Sequence, residues 1–263
     1  MAYSLVWMSD VLYAAGLKVA EQDGWKNRGL GDVGPIKGVL CHHTAGPVRG
    51  NMPSLDAVLN GRPDLRGPLA QLGLGRDGTY YVLAAGLCQH AGRGNWQGIT
   101  TGNTNFIGIE AENAGSPADL PWPDVQMDAY HRGVAALLAH LSLPADCCAG
   151  HKEFALPAGR KDDPDFDMNT FRDEVAAHLA GKSPSPALIP AREPATDAGP
   201  GRPTLRRGAT GDLVRVIQSK CGVTVDGQFG PGTEAAVREV QRAHQLVPDG
   251  IVGPITWKIL DQM

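Results

Sequence analysis

Residues 36–45 read IKGVLCHHTA: an apolar run that ends in two histidines and a threonine. A short apolar segment of this kind, bounded by Gly and Pro, is the pattern of a buried strand. Its polar residues then emerge where the strand stops. LAQLGLG (69–75), TYYVLA (79–84) and NFIGIEAE (105–112) repeat the pattern. Arg76-Asp77-Gly78 separates the middle pair and predicts a hairpin, because Asp-Gly supplies the positive φ of a tight turn. Met127, Tyr130, Val134, Leu137, Leu138 and Leu141 recur at helical spacing, as do Met168, Phe171, Val175 and Leu179. Strands interleaved with helices predict a mixed α/β domain.

The 263 residues are 42% hydrophobic and 20% charged, ordinary globular usage that argues against a disordered or coiled-coil chain. A net charge of −4 lacks the basic footprint that phosphate neutralisation demands, so no nucleic-acid partner is expected. No run approaches the roughly 20 apolar residues that span a bilayer, so no membrane insertion is expected. The first residues, MAYSLVWMSD, lack a basic leader pattern, and a cytoplasmic protein is expected. Cys41, Cys88, Cys147, Cys148 and Cys221 are odd in number, and two are adjacent, so free thiols are expected rather than a disulfide framework.

Residues 182–203, KSPSPALIPAREPATDAGPGRP, are proline-rich without hydrophobic periodicity and read as a semi-extended linker. They divide a domain at 1–181, where acidic residues outnumber basic ones, from a small one at 204–263. The small domain repeats itself: DGQFGPGT (226–233) returns as DGIVGPIT (249–256). In each copy Asp-Gly predicts a turn and Thr a helix cap. Three short helices are expected at 213–220, 233–244 and 256–260. Leu213, Val216, Ile217, Val237, Val240, Leu246 and Ile255 would form their core.

The residues with chemistry lie between Cys41 and Asp167. His42-His43 ends the first strand, and Gly150-His151-Lys152-Glu153 and Arg160-Lys161-Asp162-Asp163-Pro164 follow about 110 residues later. Two imidazoles and a carboxylate from distant segments match a catalytic zinc site, which keeps a fourth position for water. Zinc lowers the pKa of that water to about 7.

The segments CHHTAG, AGHKE and GRKDDP resemble the motifs of the type-2 N-acetylmuramoyl-L-alanine amidases. That zinc family also includes peptidoglycan recognition proteins and several phage lysozymes. RDGT (76–79), HAGRGNW (90–96) and IGIEAEN (107–113) fall in the family's order, and the resemblance spans roughly Lys37 to Leu179. It implies an α/β mixed-sheet zinc amidase domain with flanking helices. It also implies His42, His151 and Asp163 as ligands of Zn2+, with Asp162 the alternative to Asp163 and His43 facing the other way. Glu110 matches the family's general base, Glu112 being the alternative, and Lys161 matches the lysine that polarises the scissile carbonyl. Some relatives carry a tyrosine where this chain has Ala70-Gln71, which strengthens the case for Glu110. His90 matches a substrate-contacting residue, and Trp96 and Asn113 are placed as groove-lining residues.

Residues 205–260 resemble the type-1 peptidoglycan-binding domain, which implies a small all-α three-helix wall-binding module. The combination implies a peptidoglycan amidase of the phage endolysin kind, with a monomer favoured. Such a protein would stay in the cytoplasm until lysis and then act on the cell wall. The alternatives are a bacterial autolysin, a recycling amidase, a non-catalytic peptidoglycan receptor and a stem-peptide peptidase.

Overall fold

The computed structural model describes residues 2–181, 202–244, 246 and 250–263. They form two units, one of Met1–Val19 and Gly24–Ser183, the other of Ala20–Asp23 and Pro184–Met263. Most of the expected linker, residues 182–201, lies outside the described residues.

Up to residue 82 the elements run α1 (Met8–Ala14), β1 (Lys18–Glu21), β2 (Gly38–His43), α2 (Leu55–Asn60), β3 (Gly61–Arg62), β4 (Leu65–Arg66), β5 (Leu72–Leu74) and β6 (Thr79–Val82). There follow α3 (Gly102–Asn105), β7 (Phe106–Ala111), α4 (Asp124–His140), β8 (Cys148–Gly150), α5 (His151–Phe154) and α6 (Met168–Leu179). Six strands make one mixed sheet in the order β1-β6-β5-β7-β2-β8, and β3-β4 is a separate hairpin. β2 is parallel to both β7 and β8, and the expected hairpin is the antiparallel β5-β6 pair. The fold is thus a mixed α/β sheet with flanking helices.

Every residue of β2 is buried, so its alternation serves two apolar layers. Val39 and Cys41 pack with Ile107, Ile109, Tyr130, Val134, Phe171 and Val175 beneath α4 and α6. Leu40 faces the opposite way, against Phe106, Ala149 and Phe154. Period-two alternation puts His42 on the Leu40 face and His43 on the helix face. Leu5, Met8 and Leu12 join the helix-side core, so the N-terminal segment lies across the sheet from His42.

Residues 69–71 do not extend β5 as expected. The buried Gln71 side chain takes the ladder's place there, its Oε1 accepting the Gly108 N–H at 2.8 Å.

The second unit contains α7 (Asp212–Lys220), α8 (Pro231–Ala243) and α9 (Pro254–Leu260) around Val214, Ile217, Phe229, Val237, Val240, Val252, Trp257 and Leu260. Leu213 and Val216 sit at the rim of this core, and the expected Ile255 side chain lies outside the description. Thr233 and Thr256 are not caps. α8 and α9 start two residues earlier, at Gly-Pro, where proline suits the first helical position. The two hydroxyls instead join a repeated brace. Gln218 Nε2 donates to Thr233 Oγ1 at 3.0 Å and Gln218 Oε1 accepts the Gly227 amide at 2.8 Å. Gln241, 23 residues on, donates to Thr256 Oγ1 at 3.2 Å and accepts the Gly250 amide at 2.8 Å. Both glutamines are buried, so each turn is fixed by an internal polar peg.

Candidate metal centre

β2 and β7 run in parallel register with His42 opposite Glu110, which sets an imidazole and a carboxylate side by side on one sheet face. β8 ends opposite Cys41, and the chain enters α5 at His151. Beyond Cys41 the Tyr130 hydroxyl takes over from the strand, accepting the His42 amide at 3.1 Å and lying 3.2 Å from the His42 and Ile109 carbonyls. The loop before α6 brings in Asp163, tied to α5 by the Lys152 amide at 2.6 Å from its carbonyl.

Three buried donor atoms converge. His42 Nδ1 is 3.0 Å from His151 Nδ1 and 3.1 Å from Asp163 Oδ2, and His151 Nδ1 is 3.0 Å from the same oxygen. Hydrogen bonding behind the rings decides what these atoms are. His151 Nε2 faces the Ala91 carbonyl at 3.0 Å and must carry its proton, which leaves Nδ1 bare. His42 Nε2 faces His90 Nδ1 at 3.2 Å, and a proton on that Nε2 leaves His42 Nδ1 bare as well. An ionised Asp163 adds a third acceptor. Such a triangle is repulsive unless a cation sits among its lone pairs. Its edges approach the roughly 3.3 Å between ligand atoms of a tetrahedral site with ~2.0–2.1 Å bonds. The donor set of two imidazoles and one carboxylate suits zinc and leaves one position open.

The electrostatics are consistent with ligand duty. Burial, then the neighbouring His151, lowers the His42 pKa to about 4. Burial resists ionisation of Asp163, but the His151 and His42 hydrogen bonds outweigh it and hold that carboxyl well below its usual range. His42 and Asp163 are therefore deprotonated at neutral pH.

This burial has a measurable cost. Between about pH 6.5 and about 4 an unfolded His42 binds a proton that the folded site refuses, so the unfolded state binds more protons and stability falls as the pH is lowered. Metal-free protein should be fully stable above about pH 6.5 and lose about 3 kcal/mol from this group by pH 4. Urea midpoints recorded with chelator at pH 8, 6 and 5 measure the loss, and a flat series would contradict it.

Glu110 is 17% exposed, with Oε1 4.0 Å from His42 Nδ1. Its Oε2 is buried with no hydrogen-bond partner among the described residues. Burial first, then the negative charge of Asp163, raises its pKa well above the usual carboxyl value. Glu112 is fully buried and engaged elsewhere: it accepts Thr44 Oγ1 at 2.8 Å, the Ser54 amide at 2.9 Å and Ser54 Oγ at 3.0 Å. It clamps the loop after β2. Lys161 is exposed, and its positive charge acts on both His42 and Glu110.

Two other expected positions, His90 and Asn113, differ. His90 does not face a groove: it is buried behind His42, its ring flat against Gly108, where a Cβ would meet His90 Cγ at 2.6 Å. Asn113 is fully buried, its Nδ2 donating to the Asp119 carbonyl and its Oδ1 accepting the Gly115 amide, so it shapes a turn. Trp96 is half-buried, with Nε1 donating to the Asp146 carbonyl at 3.0 Å and the Arg172 guanidinium over its ring. His43 lies against Asp165 and Gly115, away from the donors, and Asp162 is exposed. Cys41 and Cys148 face each other at 3.5 Å in the helix-side core. The orienting carbonyl of Ala91 and the Tyr130 hydroxyl escaped sequence reasoning. HAG at 90–92 was the available signal for the first, and nothing marked the second.

Residues 212–260 match the peptidoglycan binding domain family. Curated relatives cover short stretches: an uncharacterised protein of Kitasatospora aureofaciens is 46% identical over 66 residues, 22% of this chain and 56% of the relative. Zinc D-Ala-D-Ala carboxypeptidase of Streptomyces albus G is 40% identical over 68 residues, 23% of this chain and 27% of the relative. The chain thus spans about half of one curated relative and about a quarter of the other. Among solved structures, a selenomethionine derivative of AmpD aligns at TM-score 0.47 and 23% identity, over 66% of this chain and 99% of that one. The N-acetylmuramyl-L-alanine amidase AmiD of E. coli aligns at 0.44 and 20%, over 92% and 95%. The endolysin LysCS of Clostridium intestinale aligns at 0.46 and 16%, over 60% and 95%. Residues 32–166, just over half of the sequence, match the N-acetylmuramoyl-L-alanine amidase family, and the chain belongs to that family.

Proposed function

We propose that the protein hydrolyses the amide between the lactyl group of N-acetylmuramic acid and the L-alanine of the peptidoglycan stem peptide. His42, His151 and Asp163 would hold zinc, which when bound supplies Lewis acidity and lets water ionise near neutral pH. The observation that carries the reading is Glu110, a half-buried carboxylate with a raised pKa and a buried oxygen without a hydrogen-bond partner among the described residues, beside the three-donor cluster. Such a group takes a proton from the attacking water at Oε2 and gives it to the leaving alanine nitrogen. The Lys161 ammonium is free to face the oxyanion that develops on the scissile carbonyl.

The second unit would tether the enzyme to the wall, raising its effective concentration there. The lytic role of an endolysin, with accumulation in the cytoplasm before lysis, is part of the proposal. Mass spectrometry of purified peptidoglycan digested by the protein tests it. Free stem peptides with new L-alanine amino termini are expected, and cuts inside the stem would refute the amidase.

A further inference from the structure

The groups that stand behind both imidazole rings come from two consecutive residues. His90 Nδ1 stands behind His42 Nε2, and the Ala91 carbonyl stands behind His151 Nε2. The aim of two ligands drawn from β2 and α5 therefore depends on one dipeptide that belongs to neither. That dipeptide lies in a stretch without a regular ladder, yet its backbone is fixed. The His90 amide donates to Asn103 Oδ1 at 2.9 Å and the Ala91 amide to the same oxygen at 2.8 Å. With two N–H donors facing it, the atom must be the carbonyl oxygen of the side chain.

The surrounding packing brings Asn103 this close. At Gly102, the first residue of α3, a Cβ would stand 2.3 Å from the Ala91 side chain and 2.8 Å from Phe154. Only glycine lets α3 press against residue 91. On the other side the His90 ring rests on Gly108 of β7. The dipeptide is thus wedged between β7 and α3, with one oxygen holding both of its amides.

We propose that Asn103 is a positioning residue for the metal centre, its Oδ1 holding the His90-Ala91 backbone that aims the Nδ1 atoms of His42 and His151. The inference rests on the proposed zinc site and adds to it an outer support that touches neither metal nor substrate. Outer partners of ligating histidines typically change metal affinity by 10–100-fold when removed. One further step back, the lower end of that range applies.

The test compares full-length protein with Asn103→Leu, which keeps the size and loses the acceptor, and Asn103→Asp, which keeps the acceptor. Zinc affinity is read by chelator competition, and site geometry by the visible absorption of bound Co2+. Asn103→Leu should raise the zinc dissociation constant about 10-fold and weaken the tetrahedral Co2+ bands. Asn103→Asp should return both to near the wild-type values. Val175→Ala, in the core across the sheet, should lower the melting temperature without moving either reading. Should Asn103→Leu not fold, Asn103→Ser, whose hydroxyl is too short to hold both amides, is read in the same way. Unchanged affinity in the Leu or Ser variant overturns the inference, and so does failure of Asp to restore it. Wild-type protein that binds no zinc would overturn instead the amidase reading beneath it.

Discussion

Glu110→Gln should lower kcat by about two to four orders of magnitude, the range that a general base contributes, while zinc remains bound. The amide keeps the shape of the carboxylate and cannot carry a proton from water to the leaving nitrogen. Glu110 is no ligand in the geometry: its nearer oxygen is 4.0 Å from His42 Nδ1, whereas the three donors lie 3.0–3.1 Å apart. Burial raises its pKa, so the folded protein bears a cost for the charged form. The glutamine variant should therefore melt no lower than the wild type. Glu112→Gln should behave in the opposite way, weakening the clamp on Thr44 and Ser54 at a cost of about 1–3 kcal/mol in stability. Activity above a tenth of wild type in Glu110→Gln, with product formation lost in a folded Glu112→Gln, would exchange the roles of the two carboxylates.

Removing the metal should have an effect as large. Dialysis against a strong chelator should reduce product formation to background, and stoichiometric zinc should restore it. His151→Ala should stay inactive with zinc present, because its loss leaves one imidazole and one carboxylate. The same comparison should appear in stability: with free zinc at about 1,000 times the dissociation constant, the folded state gains about 4 kcal/mol. A chelator that changes neither turnover nor the unfolding midpoint would rule out zinc at this centre.

Much of the site follows from the alternation of two strands. IKGVLCHH and NFIGIEAE each put apolar residues on both faces and bring His42 and Glu110 opposite each other at the same end of the same face. What the sequence does not carry is lateral order, because β2 meets β7 and β8 only through long crossovers. Loop residues are harder still. His90 and Asn113 sit within matching motifs, but a motif fixes position along the chain and says nothing of burial, and both side chains turn inward. The inward face of α7 was misjudged for a related reason. Hydrophobicity places Leu213 and Val216 inside, whereas the structure turns Gln218 inward to hold a turn and rotates Val214 in with it.

The paired glutamine brace has a consequence for where the second unit can work. A domain of about 60 residues sits near the lower limit at which one apolar core suffices, and many of that size rely on disulfides or metals. Here Cys221 is a free thiol, and Gln218 and Gln241 cross-link turn to helix through amide hydrogen bonds alone. Such a link has no redox potential. It neither waits for an oxidant to form nor fails when a reductant is present, so the module holds the same shape in a reducing compartment and in an oxidising one.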